Sequence, residues 1–238
     1  MYNLYDLILG LKKESSFYAD KNCEYPFSLD NNFENINNKI LVITGDNSSG
    51  KSLLLKVLKN YSKKTFNIKS IIVSLQERLN PLESNGNENR RIICLKNELK
   101  LSTGVSSVES VNKSFDIMSK WTQDSDTLII LEEPEVGLAQ GYEYALGQFI
   151  AEKTLAEKDN KKFTGIVIVT HSKNVIKGIA EKNINPLFIN MGKEYISMQE
   201  WLNKEDKKTV AELLNLLTKT SKDDFELEGL CKKFKKAS

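Results

Sequence analysis

Short apolar runs recur along the chain, and the first and third of them in chain order are followed by a turn and then by a segment of helical periodicity. Ile40–Ile43, Leu128–Leu131 and Gly165–Val169 are free of charge, and Ile68–Ser74, second in chain order, is more polar and includes Lys69. Short runs of β-branched and Leu residues bounded by turn residues suit strands buried on both faces. Leu53, Leu54, Leu55, Val57 and Leu58 predict a helix reaching about Asn60, Val108–Trp121 a second helix capped by a serine of the 102–107 stretch, and Gln140–Lys158 a third. Leu4, Leu7, Ile8 and Leu11 predict a short amphipathic helix over 3–13 that packs on the domain. Residues 16–30 read as one or two aromatic-bearing strands before an Asn-rich turn at 31–38, and the polar, turn-rich 80–90 as an exposed connection. Pro186–Asn190 and Glu194–Ser197 read as strands of a closing hairpin around Met191-Gly192, Lys207–Leu217 as a last helix, and the stretch from Ser221 as a solvated basic tail. Strands alternating with helices predict an α/β fold with a mainly parallel central sheet flanked by helices. In such sheets the chemistry gathers at the carboxyl ends of the strands.

Composition narrows the picture only in part. The 238 residues are expected to form one domain over 1–238, with 1–14 as an N-terminal helix. A net charge of +2 neither demands nor excludes a nucleic-acid partner. Cys23, Cys94 and Cys231 show no paired spacing, so neither a disulfide framework nor a zinc site is indicated, and a reduced cytoplasmic location fits. The apolar runs are far shorter than the roughly 18 residues of a membrane span. No basic segment precedes an apolar one at the N-terminus, so neither a signal peptide nor a membrane partner is expected.

The chemistry is concentrated at three of the strand ends. Gly45-Asp46-Asn47-Ser48-Ser49-Gly50-Lys51-Ser52 fits G-x-x-x-x-G-K-[ST] between a strand and a helix, the context a phosphate-binding loop requires. A chance match in a chain of this length has a probability of roughly 1%. The backbone N–H groups of Gly45, Asn47, Ser48, Ser49, Gly50, Lys51, Ser52 and Leu53 are candidates for cradling phosphate; Lys51 would reach the β- and γ-phosphates and the Ser52 hydroxyl would ligate Mg²⁺. Phosphoryl transfer from ATP needs charge compensation, Mg²⁺ and a positioned water. Glu132, directly after Leu128–Leu131, is placed to hold Mg²⁺ through water, and Glu133 to orient the attacking water and take its proton. His171, the single histidine, follows Gly165–Val169 and is a candidate donor to the γ-phosphate. Tyr18 and Tyr25 are candidates for stacking on adenine, and Arg90, Arg91, Lys96 and Lys100 for phosphate-backbone contact, though an ordinary surface explains either group more simply.

Gly45–Ser52, Leu101–Ser107, Glu132-Glu133-Pro134-Glu135 and Thr170-His171 stand in the order of Walker A, signature, Walker B and switch histidine, and in this the chain resembles the ABC-type ATPases. Glu-Pro-Glu-x-Gly-Leu is similar to the branch that contains RecF and the overcoming-lysogenization-defect ATPases, with the structural-maintenance-of-chromosomes ATPases more distant. The resemblance covers roughly residues 15–200. It implies a P-loop NTPase fold with Lys51, Glu133 and His171 as catalytic residues, and Gln76 as the Q-loop glutamine joining Ser52 and Glu132 around Mg²⁺. Ser102 and Gly104 would contact the γ-phosphate held by the opposite subunit, so the resemblance implies an ATP-dependent, head-to-tail homodimer with two ATPs at its interface.

This sequence departs from the family pattern in four places. Glu132 stands for the usual aspartate, which implies slow hydrolysis, Thr103 for a signature glycine, and Ala139 for the aspartate or histidine many relatives carry. Only 51 residues separate Lys51 from Ser102, leaving room for a reduced helical lobe. The implied function is an ATPase that drives or gates a protein partner acting on nucleic acid. Three alternatives stand beside it: the nucleotide-binding subunit of a membrane transporter, a slow-turnover ATP-dependent scaffold, and a metabolite kinase, for which Arg78, Arg90 and Arg91 are the available lid arginines.

Overall fold

In the computed structural model, residues 3–13, 39–47, 49–74, 102–191, 196–205 and 207–216 are described. The elements run α1 (Leu4–Lys13), β1 (Ile40–Gly45), α2 (Lys51–Phe66), β2 (Lys69–Val73), α3 (Thr103–Trp121), β3 (Thr127–Glu132), α4 (Gln140–Ala156), β4 (Phe163–Val169), α5 (Lys173–Glu181), β5 (Leu187–Met191) and α6 (Met198–Asn203). Among the described residues the five strands form one all-parallel sheet in the order β2-β3-β4-β1-β5.

Alternate residues of each strand feed two separate cores. Leu41 and Ile43 of β1, Leu128 and Ile130 of β3 and Val167 and Val169 of β4 pack with α1 and α2. Ile40 and Val42, Ile129 and Leu131, and Ile166 and Ile168 pack with α3, α4 and α5 on the other face. Burial on both faces explains why these strands read as unbroken apolar runs rather than alternating ones. The same topology explains the layering. β1 connects leftward to β2 through α2, whereas β3 to β4 and β4 to β5 connect rightward through α4 and α5; right-handed crossovers then put the two sets of helices on opposite faces.

Lys39, buried just before β1, donates from Nζ to the carbonyls of Glu157 (2.8 Å) and Asn160 (2.7 Å) and lies over the Phe163 ring. It thereby adds a cation to the C-cap of α4 at Glu157 and to the turn that follows it, where positive charge is favourable. Burial lowers its pKa from the usual value, against the pull of Glu157 and Asp159. Gly147 and Gly178 let α4 and α5 meet backbone to backbone: a Cβ on Gly147 would stand 2.1 Å from the Val175 carbonyl oxygen.

Several expectations are corrected. α2 runs past Asn60 to Phe66 and stops where Asn67 adopts the left-handed conformation. α3 begins at Thr103, five residues before the expected start; Ser102 occupies its N-cap without a side-chain cap bond. β5 is a parallel neighbour of β1 and includes Met191, which was expected in a hairpin turn. Ser197, expected in the second hairpin strand, instead caps α6 in a reciprocal bond with Glu200. The helical stretch near the C-terminus covers 210–216 and leaves Val210, Leu213 and Leu214 exposed. α5 and α6 have no counterpart in the sequence expectation. The expected strands at 16–30, the connection at 80–90, Gln76, Ser48, the basic cluster at 90–100, all three cysteines and the C-terminal tail lie outside the described residues. No helix among the described residues is long and apolar enough to cross a membrane.

Candidate functional site

β1 and β4 are neighbours, but the chain leaves β1 toward the α2 face and leaves β4 toward the α5 face. Their outgoing loops therefore diverge and open a crevice at the carboxyl edge of the sheet, where ligands of open α/β sheets bind. Register sets three segments level with this crevice: Ile43 pairs with Val169, and Val169 with Glu132. The glycine loop 45–50, Glu132-Glu133 and Thr170-His171 thus come to one edge from residues far apart in the chain.

Gly45 (φ 139°) and Gly50 (φ 91°) supply the positive φ the glycine loop needs between β1 and α2. A Cβ on Gly45 would meet the Met191 carbonyl oxygen at 2.6 Å and Ser49 Oγ at 2.9 Å. Lys51 opens α2 but folds back: its Nζ donates to the carbonyls of Gly45 (3.0 Å) and Asp46 (2.8 Å). It is buried, and burial lowers its pKa, opposed by the carboxylates of Glu133, Asp46 and Glu132. Thr44 Oγ1 and Ser49 Oγ are buried without a hydrogen-bond partner among the described residues, polar capacity that flanks the loop.

The Ser52 hydroxyl donates to Glu132 Oε1 at 3.0 Å. A hydroxyl and a carboxylate side by side form a hard-oxygen pair of the kind that holds Mg²⁺ together with waters and phosphate oxygens. Such a site needs no dense cluster of side chains, and among the described residues no group of three His, Cys, Asp or Glu residues could hold a metal ion. Glu133 follows β3 in the left-handed region (φ 48°), its N–H donating to the Val169 carbonyl at 2.8 Å. A non-glycine residue held there stores strain of about 1–3 kcal/mol, as residues at functional sites often do. His171 Nε2 stands 3.6 Å from Glu133 Oε1, beyond hydrogen-bond range but near enough for a small movement or one water to link them. Burial and then Lys51 lower the His171 pKa, while Glu133 and Asp46 oppose them. The imidazole is therefore neutral at pH 7, able to donate from one nitrogen and accept at the other.

Ser102 and Gly104 sit elsewhere on the molecule. Ser102 is exposed, and Gly104 packs against the loop after β3, where its Cβ would stand 2.4 Å from the Gly137 carbonyl oxygen. Ser107 Oγ adds a 2.7 Å bond to the Val136 carbonyl. Lys51, Ser52, Glu132, Glu133 and His171 are brought together, with Gly45, Asn47, Ser49, Gly50 and Leu53 in or beside the loop; Ser102 is exposed, and Gly104 is buried against the loop after β3. Sequence reasoning assigned no role to Glu135, which is buried against Thr170 and His171, nor to Lys208, whose Nζ lies 3.2 Å from Asp46 Oδ2 in the glycine loop. The repeated Glu of Glu-Pro-Glu was a visible signal for the first; a lysine in a polar stretch carries none for the second.

No family model matches this sequence, and no curated protein matches it. One solved structure, "Structure of E. coli MS115-1 HORMA:CdnC:Trip13 complex", contains a chain that is similar over 66% of this one at a TM-score of 0.36 and 12% identity. This chain covers 49% of that one, about half its length, and at that score the likeness decides neither fold family nor activity.

Proposed function

We propose that the chain is an ATP-hydrolysing ATPase of the ABC type, similar to the RecF and overcoming-lysogenization-defect branch, that pairs head to tail on ATP and gates a protein partner acting on nucleic acid. The observation that carries the reading is the Ser52–Glu132 hydrogen bond beside a Lys51 folded onto its own loop. Hydroxyl, carboxylate and cation, the groups a phosphate–Mg²⁺ site uses, meet at the edge of the sheet where the glycine loop begins a helix.

In this reading the backbone N–H groups of the loop and the start of α2 receive the β- and γ-phosphates. Lys51 exchanges the carbonyls of Gly45 and Asp46 for phosphate oxygens. Ser52 and Glu132, with Gln76, would hold Mg²⁺, which neutralises phosphate charge when bound. Glu133 accepts the proton of a water whose oxygen forms the new bond to the γ-phosphorus. The bond from that phosphorus to the β,γ-bridging oxygen breaks, and ADP leaves with the electron pair. Neutral His171 donates a hydrogen bond to the γ-phosphate. The outward placement of Ser102 supports its use by a second copy.

The deciding experiment is the solution mass of wild type and Glu133→Gln, with and without Mg-ATP, by light scattering after size exclusion. A dimer formed by Glu133→Gln only with Mg-ATP, and lost when Lys51 or Ser102 is also changed, is the expected result. A chain that binds ATP at one mass in every condition overturns the head-to-tail pairing. A chain that binds no ATP overturns the whole reading.

A further inference from the structure

Glu135 is buried at 9% exposure, yet its carboxylate takes part in neither the proposed phosphate chemistry nor an ion pair among the described residues. Its Oε1 accepts from Thr170 Oγ1 at 2.5 Å and from the His171 backbone N–H at 3.3 Å. Its Oε2 is buried with no hydrogen-bond partner among the described residues. Thr170, fully buried, is held from two more sides: its N–H donates to the Ile43 carbonyl (3.1 Å), and its Oγ1 accepts from the Ser172 N–H (2.9 Å). The loop carrying Glu135 is itself fixed. Val136 N–H donates to the Glu133 carbonyl (3.1 Å), Leu138 N–H to the Glu135 carbonyl (2.9 Å), and Ser107 Oγ to the Val136 carbonyl (2.7 Å).

An apolar side chain at this position would spare the cost of burying a carboxyl group that has one oxygen without a partner among the described residues. What the carboxyl adds is a two-point hold on Thr170 and His171, the two residues that follow β4. The Glu133 N–H holds the Val169 carbonyl immediately before them. The loop after β3 therefore holds backbone groups on both sides of Thr170, and His171 Nε2 stands 3.6 Å from Glu133 Oε1.

We propose that Glu135 is a positioning residue: by holding Thr170 Oγ1 and the His171 backbone, it keeps the imidazole against Glu133 at the mouth of the glycine loop. The role of that imidazole in turnover rests on the ATPase reading; the positioning does not. Among the described residues the charged groups that bear on the ring are Lys51, Glu133 and Asp46, and the one that bears on Glu135 is Glu133.

Because His171 is the only histidine, the full chain labelled with ¹⁵N-histidine gives one imidazole to titrate by NMR without nucleotide. Ring position and carboxylate charge act in opposite directions. Releasing the ring from its half-buried place near Lys51 raises its midpoint toward the ordinary value of about 6.5. Removing a carboxylate while the ring stays in place lowers the midpoint or leaves it alone. Glu135→Ala and Thr170→Val are expected to raise it by about half a unit or more. Glu135→Gln, whose amide oxygen can still accept from Thr170 Oγ1 and the His171 N–H, is expected to leave it unchanged or lower. An unchanged or lowered midpoint in folded Thr170→Val and Glu135→Ala overturns the proposal; if Glu135→Ala does not fold, Thr170→Val against Glu135→Gln decides it.

With Mg-ATP, Glu135→Ala is expected to lower kcat about tenfold or more at little changed KM, and Glu135→Gln to restore most of it. A raised midpoint in a chain without ATP turnover leaves the positioning intact and removes the ATPase reading. Turnover by wild type with no shift in any variant does the reverse.

Discussion

The Ser52 hydroxyl and the Glu132 carboxylate, 80 residues apart in sequence, are joined at 3.0 Å where α2 begins and β3 ends. The bond is exposed, so in the free chain it adds little to stability, and its partners are available to a cation. Ser52→Ala is expected to weaken Mg²⁺-dependent ATP binding about tenfold, worth about 1.4 kcal/mol, while leaving binding in excess EDTA nearly unchanged. Calorimetric titration in the two buffers separates these effects. An equal loss in both would remove Ser52 from metal binding.

Glu133 holds its place only with a left-handed backbone. Asn adopts that conformation more readily than Glu. Glu133→Asn is therefore expected to unfold at a higher denaturant midpoint, by about 1 kcal/mol, while ATP turnover falls by a hundredfold or more, the general range for a lost base. Urea melts beside phosphate-release assays test the pair of outcomes.

Proton linkage has opposite signs at His171 and Glu135. The folded pKa of His171 is lowered, so the unfolded chain binds the proton first; its contribution is fully present above about pH 6.5 and is lost as pH falls toward the folded value. Burial raises the Glu135 pKa despite the Thr170 hydrogen bond, so the folded chain keeps that proton longer. Its contribution is present below the unfolded value of 4.5 and is lost as pH rises through the folded value. His171→Gln is expected to flatten the stability profile between pH 7.5 and 5.5, values chosen to bracket the ordinary histidine pKa of about 6.5. Glu135→Gln should lose less stability than wild type as pH rises from about 4.5 toward neutrality. Denaturant melts across pH would show the two changes in separate windows.

Three glycines test what close approach requires. Gly104→Ala would put a Cβ 2.4 Å from the Gly137 carbonyl oxygen, and Gly137→Ala would meet Thr103 Cβ at 2.7 Å with φ at +84°. Each is expected to cost about 1–3 kcal/mol. Gly141, in the first turn of α4, has nothing within 4 Å of an added Cβ. Gly141→Ala should be neutral or stabilising by up to about 1 kcal/mol. Thermal melts of the three rank them, and a destabilised Gly141→Ala would contradict the open surface there.

The layers and much of the site were legible in the chain before it folds. β1, β3 and β4 could be read because strands covered on both faces become uninterrupted apolar runs, and the glycine loop because its spacing and flanking elements are local. Local pattern was less informative where packing decides. α5 went unread although Ser172 accepts from the Val175 N–H and Val175, Ile176 and Ile179 are buried, because nine residues give helical periodicity little length to show itself. β5 read as half of a hairpin because nothing near it in the chain reveals that its partner is β1. Strand order is a property of the folded sheet, and it is this order that sets β4 between β1 and β3, bringing His171 to Glu133 and Ser52 to Glu132. Folding also turned Glu135 inward, since burial depends on what arrives from the end of a strand 35 residues away rather than on the residues beside it.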